Sequence, residues 1–225
     1  MSAGPGRGAR KKSRDGKVTT LYHVGDLGRP RSSRYDTSLE GGELSVSRHP
    51  REWSRIAGLG GNTYKLTKRG ARFVDGRDPK TTAWAVANGY IEPVQRFCVS
   101  TGYDDEAEEE RYEVFDTREE AEVRSDELEQ SGVEQFTDYR FAPLGEAYFR
   151  AAFPNAVVEN LHTMASDLAP IFYARAHGYD GVWWNDRYAP YALSCPRGCI
   201  LQERLPEWKV EPVDDCDVPD EDEDE

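Results

Sequence analysis

The chain has 225 residues, of which 37% are hydrophobic and 11% aromatic, with five Trp and a formal charge of −13, a size that fits one domain with appendages better than two full domains. A mean hydropathy of −0.79 is that of a disordered chain, yet the aromatic content argues for a packed core. The charge is local: residues 1–17 carry six Lys/Arg and one Asp, residues 104–129 fourteen acids against three bases, and residues 211–225 ten acids and no base.

Taken in order, residues 1–17 are expected to be a disordered basic arm and 18–210 a single α+β domain, with 211–225 a disordered acidic tail. Thr19 to Val24 has the β-branched and aromatic make-up of a strand, stopped by Gly25. Residues 26–42, rich in Gly, Pro, Arg and Ser, form a loop longer than ordinary connections and so a functional or mobile one. Glu43 to Ser47 alternates as a short strand. A helix opens at Pro50 with Trp53, Ile56 and Ala57 on one face, and Gly58-Leu59-Gly60-Gly61 ends it. Thr63 to Thr67 is another strand, and Arg72 to Asp75 extends or follows it.

Residues 80–100 are ambiguous, helical by composition at 84–87 and strand-like at 94–100. Tyr112 to Phe115 suits a strand, and Thr117 with Glu120 makes a capping box for a helix to about Gln130. Its apolar face, Ala121 and Leu128, is narrow, so 103–136 is expected to be a peripheral acidic insertion. Residues 143–177 are mainly helical, interrupted at Phe153-Pro154-Asn155. The second helix carries Leu161, Met164, Leu168 and Ile171/Phe172, with Pro170 a kink and Gly178 its cap. Gly181 to Asp186 is a buried strand, Cys199 to Leu201 another, and Leu205 to Trp208 closes the domain.

Several function classes are excluded. No run approaches the ~20 apolar residues of a membrane span, and the N-terminus has no apolar h-region. Four scattered Cys do not make a disulfide scaffold, and Cys195-Pro-Arg-Gly-Cys199 lacks the spacing of a zinc knuckle. The four His show no metal-ligand spacing, and no phosphate-binding loop, GxGxxG or Gly-x-Ser-x-Gly is present. A pI near 4.9 argues against coating nucleic acid, although the basic arm can touch phosphates. The expectation is a monomeric, reduced, cytoplasmic protein with no metal and no membrane partner.

Candidate chemistry sits at strand ends. His23 precedes a Gly, whose bare backbone lets a ligand approach. Its imidazole either bonds a ribose hydroxyl, with Val24 and Gly25 offering backbone groups to a carboxamide, or is a strand histidine satisfied by a local carbonyl. Asp186, at the rim of an aromatic strand, either stabilises developing positive charge or terminates the strand. Asp180 is its rival but reads as a turn residue. Ser45 and Ser47 project from one side of their strand, as pocket walls or as ordinary strand residues. Trp53 stacks on a flat ring or fills the core.

Together, Leu21-Tyr22-His23-Val24-Gly25, Leu44-Ser45-Val46-Ser47 leading into the helix at Pro50, and Gly178 to Asp186 after a helix resemble the ADP-ribosyltransferase superfamily, its small bacterial and phage members most. The resemblance implies a split β-sheet with flanking helices and NAD as substrate. It implies mono-ADP-ribosyl transfer to a macromolecular acceptor, protein or nucleic acid, as in a toxin or phage effector. His23 would hold the adenosine-side ribose and the Val24–Gly25 backbone the carboxamide, while Ser45 and Ser47 shape the pocket. Trp53 or Tyr35 would stack on nicotinamide, and Arg29, Arg31 and Arg34 would cover the pyrophosphate. Asp186 would stabilise the oxocarbenium-like transition state through the ribose 2′-hydroxyl. The competing reading is a non-catalytic interaction protein, or an acidic nucleic-acid mimic, in which the same blocks are core.

Overall fold

The computed structural model describes residues 17–27, 42–57, 60–104, 109–129, 132–152, 165–184 and 196–214. Seven strands form one sheet: β1 (Val18–Val24), β2 (Leu44–Ser47), β3 (Thr63–Arg69), β4 (Phe73–Asp75), β8 (Gly181–Trp184), β9 (Arg197–Ile200) and β10 (Lys209–Val213). Strands β5 (Ile91–Asp104), β6 (Glu109–Phe115) and β7 (Glu134–Phe141) form a second. The helices are α1 (Pro50–Ala57), α2 (Pro79–Ala87), α3 (Arg118–Glu127), α4 (Pro143–Ala152) and α5 (Ala165–Ala176), with a 3-10 segment at Gln202–Glu207. The fold is α+β, as composition and pattern imply. Residues Arg29, Arg31, Arg34, Tyr35, Leu161, Met164 and Asp186, both expected tails apart from 17 and 211–214, and the side chains of 56 and 57 lie outside the described residues.

The large sheet runs β10-β3-β1-β2-β9-β8-β4, with β4 and β8 parallel and its other neighbours antiparallel. One pairing is unlike the rest. Strand β1 matches β3 over seven positions from Val18↔Arg69 to Val24↔Thr63, but meets β2 at Tyr22↔Ser47 alone. The sheet therefore divides into a β10-β3-β1 half and a β2-β9-β8-β4 half joined at one bridge.

Alternation along the strands gives each face its own core. On one face, Val182, Trp184 and Cys199 pack with Leu168, Ile171 and Phe172 of α5; each large side chain buried there contributes about 1.5–3 kcal/mol. On the other, Leu21, Leu44, Val46, Leu66 and Ile200 gather around Trp208. Helix α5 runs through Pro170 within its span, and Gly178 follows it at φ +66°, the left-handed stop that its position suggested. Asp78 caps α2 through Lys80 N–H at 3.0 Å, and Thr117 caps α3 as expected by accepting Glu120 N–H at 3.3 Å, while the Glu120 carboxylate takes the Thr117 hydroxyl rather than its backbone N–H.

Two expectations need correction, and one ambiguity is resolved. The acidic segment 103–136 is the outer part of a larger unit, since its sheet begins at Ile91 and returns to Phe141, whose ring joins the α5 core with Tyr139 and Ile91. The ambiguous stretch 80–100 divides into α2 and the first half of β5. Residues 211–213, assigned to the tail, belong to β10, which covers the outer edge of β3.

Two buried carboxylates fasten the sheet. Asp180 receives Lys68 Nζ from β3 and the Arg72 backbone N–H at 2.7 Å, while its own carbonyl accepts Leu201 N–H at 2.9 Å. Glu43, just before β2, accepts the Tyr148 hydroxyl at 2.6 Å, Arg175 at 2.7 Å and Gln202 N–H at 2.7 Å. Burial beside Glu43 pushes the Tyr148 hydroxyl well above its ordinary range, so it stays a donor. Arg175 also holds Glu203 at 2.5 Å; burial alone would raise that carboxyl, but the guanidinium wins and holds it below the usual glutamate range.

Asp180→Ala is expected to cost about 2–4 kcal/mol in urea unfolding, because Lys68 and a backbone donor lose their acceptor together. For Glu203, the depressed pKa means stability that is present above the ordinary glutamate value and lost as pH falls through the folded one. Glu203→Gln should therefore flatten the fall in urea midpoint between about pH 5 and pH 3.

Candidate functional site

The bridge at Tyr22↔Ser47 places the expected blocks side by side. His23 is the next residue of β1 and is buried, 7% exposed. Its Nδ1–H donates to the Ser45 carbonyl at 2.8 Å, across the line where the two halves of the sheet part. A carbonyl can only accept, so this bond fixes the Nδ1–H tautomer and leaves Nε2 the basic nitrogen. Tyr64 of β3 lies alongside, its ring 6.5 Å from the imidazole and nearly parallel. Both candidate readings of His23 thus hold part of the geometry, since the imidazole is satisfied by a carbonyl and lies at the division of the sheet.

Gly25 is the turn that the strand needs. Its φ of +124° is strained for any residue with a side chain, and a Cβ there would stand 3.6 Å from His23 Nε2. Gly61, at φ +121°, presses close from the start of β3, so that a Cβ on it would lie 3.3 Å from the Gly25 Cα. The Gly25 N–H is spent on the Asn62 carbonyl at 2.9 Å. A carboxamide gripped at this turn would therefore find acceptors rather than the Gly25 donor.

The serines sit differently from the expectation of a shared wall with His23. Ser47 lies opposite Tyr22, so by alternation Ser45 and Ser47 project from the face opposite to the imidazole. Ser45 serves His23 through its backbone. The Ser47 hydroxyl, fully buried, donates to the Pro196 carbonyl at 2.9 Å and accepts His49 N–H at 3.0 Å, tying β2 to the start of β9 and to the approach of α1. Trp53, carried by α1, is buried on that same side with the Arg197 guanidinium 5.1 Å above its ring. Its indole face is occupied by protein, and its Nε1–H finds no hydrogen-bond partner among the described residues.

The third block is not adjacent to β2 in the sheet. Strand β9, carrying Arg197, Gly198, Cys199 and Ile200 and no carboxylate, lies between β2 and β8. Trp184 ends β8 in register with Arg197, which faces Ser47, which faces Tyr22. Trp184, the last described residue before Asp186, thus lies on the line of the bridge, three strand spacings or roughly 14 Å from β1. Asp180, the rival acid, is fully committed to holding β3, β4 and β8 together and is structural.

Sequence reasoning missed the Glu43–Arg175–Tyr148 cluster; an acid opening an apolar strand was the available signal. Among the described residues no group of His, Cys, Asp or Glu is arranged to hold a metal ion, and no helix is long and apolar enough to cross a membrane. Comparison with family models, curated proteins and solved structures finds no match to this chain.

Because the Ser47 hydroxyl bonds two backbone groups across elements, Ser47→Ala should lower the urea unfolding free energy by about 1–3 kcal/mol. Its hydroxyl faces away from the imidazole, so the His23 Nδ1–H bond to the Ser45 carbonyl, read from the ring's NMR shifts, should be unchanged.

Proposed function

We propose that this chain binds NAD at the division of the large sheet, cleaves its nicotinamide–ribose bond and passes ADP-ribose to a macromolecular acceptor, protein or nucleic acid. The observation that carries this reading is the single β1–β2 bridge with a buried histidine bonded across it to the Ser45 carbonyl. It agrees with the split sheet that the resemblance to ADP-ribosyltransferase-like proteins implies, in which a first-strand histidine meets the second strand. The close approach of Gly25 and Gly61 beside the imidazole, which brings bare backbone rather than side chains next to His23, supports it further.

On this reading the imidazole, held rigid by Ser45, takes a ribose hydroxyl, and the carbonyls of the Gly25 turn take the carboxamide N–H groups. The C1′–N bond breaks with its electron pair leaving on nicotinamide, and C1′ becomes oxocarbenium-like. An acceptor nucleophile then bonds C1′ and gives up its proton. Asp186 is the acid assigned to the ribose 2′-hydroxyl, where a carboxylate favours the cationic transition state over the neutral ground state.

The second reading, an interaction protein on the same fold, draws on two observations. Strand β9 brings no carboxylate next to β2, and Tyr112, Val114 and Phe136 are exposed on the three-stranded sheet. One assay separates the two. Wild-type protein incubated with NAD should release nicotinamide, and His23→Ala and Asp186→Ala should lower the rate by 100-fold or more, with circular dichroism unchanged. Ser47→Ala should retain activity at a temperature where it is folded. Wild-type protein that neither binds nor consumes NAD with any acceptor tested would leave the interaction reading standing.

A further inference from the structure

A hollow of about 300 Å³ lies on the His23 face of the large sheet, walled by Thr19 and Leu21 of β1, Phe73 and Asp75 of β4, Trp183 of β8, and Arg48 after β2. Its size is at the lower end of small-ligand pockets. Strands β1 and β4 are four places apart in the sheet, yet both wall it, so the sheet curls around this hollow. It belongs to neither the Ser47 side nor the buried carboxylate clusters, and none of the blocks singled out in the sequence lines it except Leu21 and Trp183.

The chemistry of its walls is specific. The Trp183 indole lies flat against β9, where a Cβ on Gly198 would fall 2.5 Å from the ring; only glycine permits that contact. Phe73 meets the indole edge-on at 6.2 Å. The Arg48 guanidinium, itself a flat delocalised group, lies over the ring at 5.1 Å and makes no hydrogen bond or ion pair among the described residues. Asp75 stands beside Trp183 in the parallel β4–β8 pairing. Its Oδ1 accepts Arg77 N–H at 3.0 Å, and its Oδ2 carries no bond among the described residues.

We infer that this hollow is a binding site for a guanine nucleotide, with the base stacked on Trp183, its N1–H and N2–H groups on the Asp75 carboxylate, and its phosphate on Arg48. Among the nucleobases only guanine presents two adjacent donors on one edge, and these match the two acceptor oxygens of a carboxylate. Adenine, cytosine and uracil each set an acceptor beside their donor, which a carboxylate repels. The guanidinium holds the stacking place until the base enters, then turns to the phosphate, for which an arginine fork is suited. The site is independent of NAD cleavage and stands or falls by binding alone.

Isothermal titration calorimetry on the full chain tests it with GMP, guanosine, AMP and a single-stranded pentanucleotide holding one central guanine. GMP should bind roughly 10- to 100-fold more tightly than AMP, the scale of a charge-assisted hydrogen-bonded pair. Asp75→Asn should remove that preference, and Arg48→Ala should remove the advantage of GMP over guanosine while guanosine still binds. Both side chains are on the pocket rim rather than in the core, and circular dichroism confirms that each variant is folded. Binding of GMP without the pentanucleotide assigns the hollow to a free nucleotide, and binding of both assigns it to the base in either setting. Failure of GMP to bind, equal affinity for AMP, or a guanine preference that survives Asp75→Asn would overturn the inference.

Discussion

The hydrogen bond from His23 to the Ser45 carbonyl does the work of a missing ladder. Beyond Tyr22↔Ser47 the backbones of β1 and β2 are no longer in register, and strand edges that part inside a domain leave polar groups to satisfy. A histidine is well suited to such a place, because its ring spans the gap that the backbone cannot. One nitrogen satisfies the far strand while the other remains basic. The same bond that closes the fold therefore orients the group that the proposed chemistry needs.

That bond can only hold if β2 is fixed, and β2 is four buried residues with two long connections. Its two ends are fastened by different means. Glu43 anchors the entry to α4, α5 and the 3-10 segment through Tyr148, Arg175 and Gln202 N–H, and Ser47 anchors the exit to Pro196 and His49. A buried carboxylate is expensive unless every lone pair is used, and Glu43 receives three donors. The strand at the centre of the sheet is thus positioned by polar contacts at its ends and by Leu44 and Val46 between them.

What the sequence made legible was local. Strands β1, β2 and β3, helix α1, the Thr117 cap and the Gly178 stop all follow from period and capping within a few residues. Strand β7 escaped notice because Glu134 to Phe141 is mostly exposed and shows no clean alternation. Strand β10 escaped because Pro212 reads as a breaker; at the sheet edge it can turn its missing N–H outward. His23 and Gly25 were readable as a strand-end pair, whereas the partner of the imidazole, 22 residues away, depends on a register that no local pattern encodes. Likewise Arg48 follows β2, Asp75 ends β4 and Trp183 lies within β8, and only the curl of the sheet brings them around one hollow.

A net charge of −13 spread evenly would oppose any anionic ligand, and the layout of the fold removes the objection. The acid-rich segment begins at the far end of β5, a strand of fourteen residues whose first residue, Ile91, is the part packed in the core. Acidic β6 returns along β5 only as far as Phe115 opposite Phe97, six residues or roughly 20 Å from Ile91, whereas charges in physiological salt are screened over about 8 Å. Near the large sheet the field is set instead by close neighbours, among them Arg48, Arg72 and Arg197. The acids on β6 and β7 serve a different purpose, since both are edge strands and charged edges resist pairing with other chains. The same composition that suggests an acidic protein therefore leaves the divided sheet electrostatically open to nucleotides.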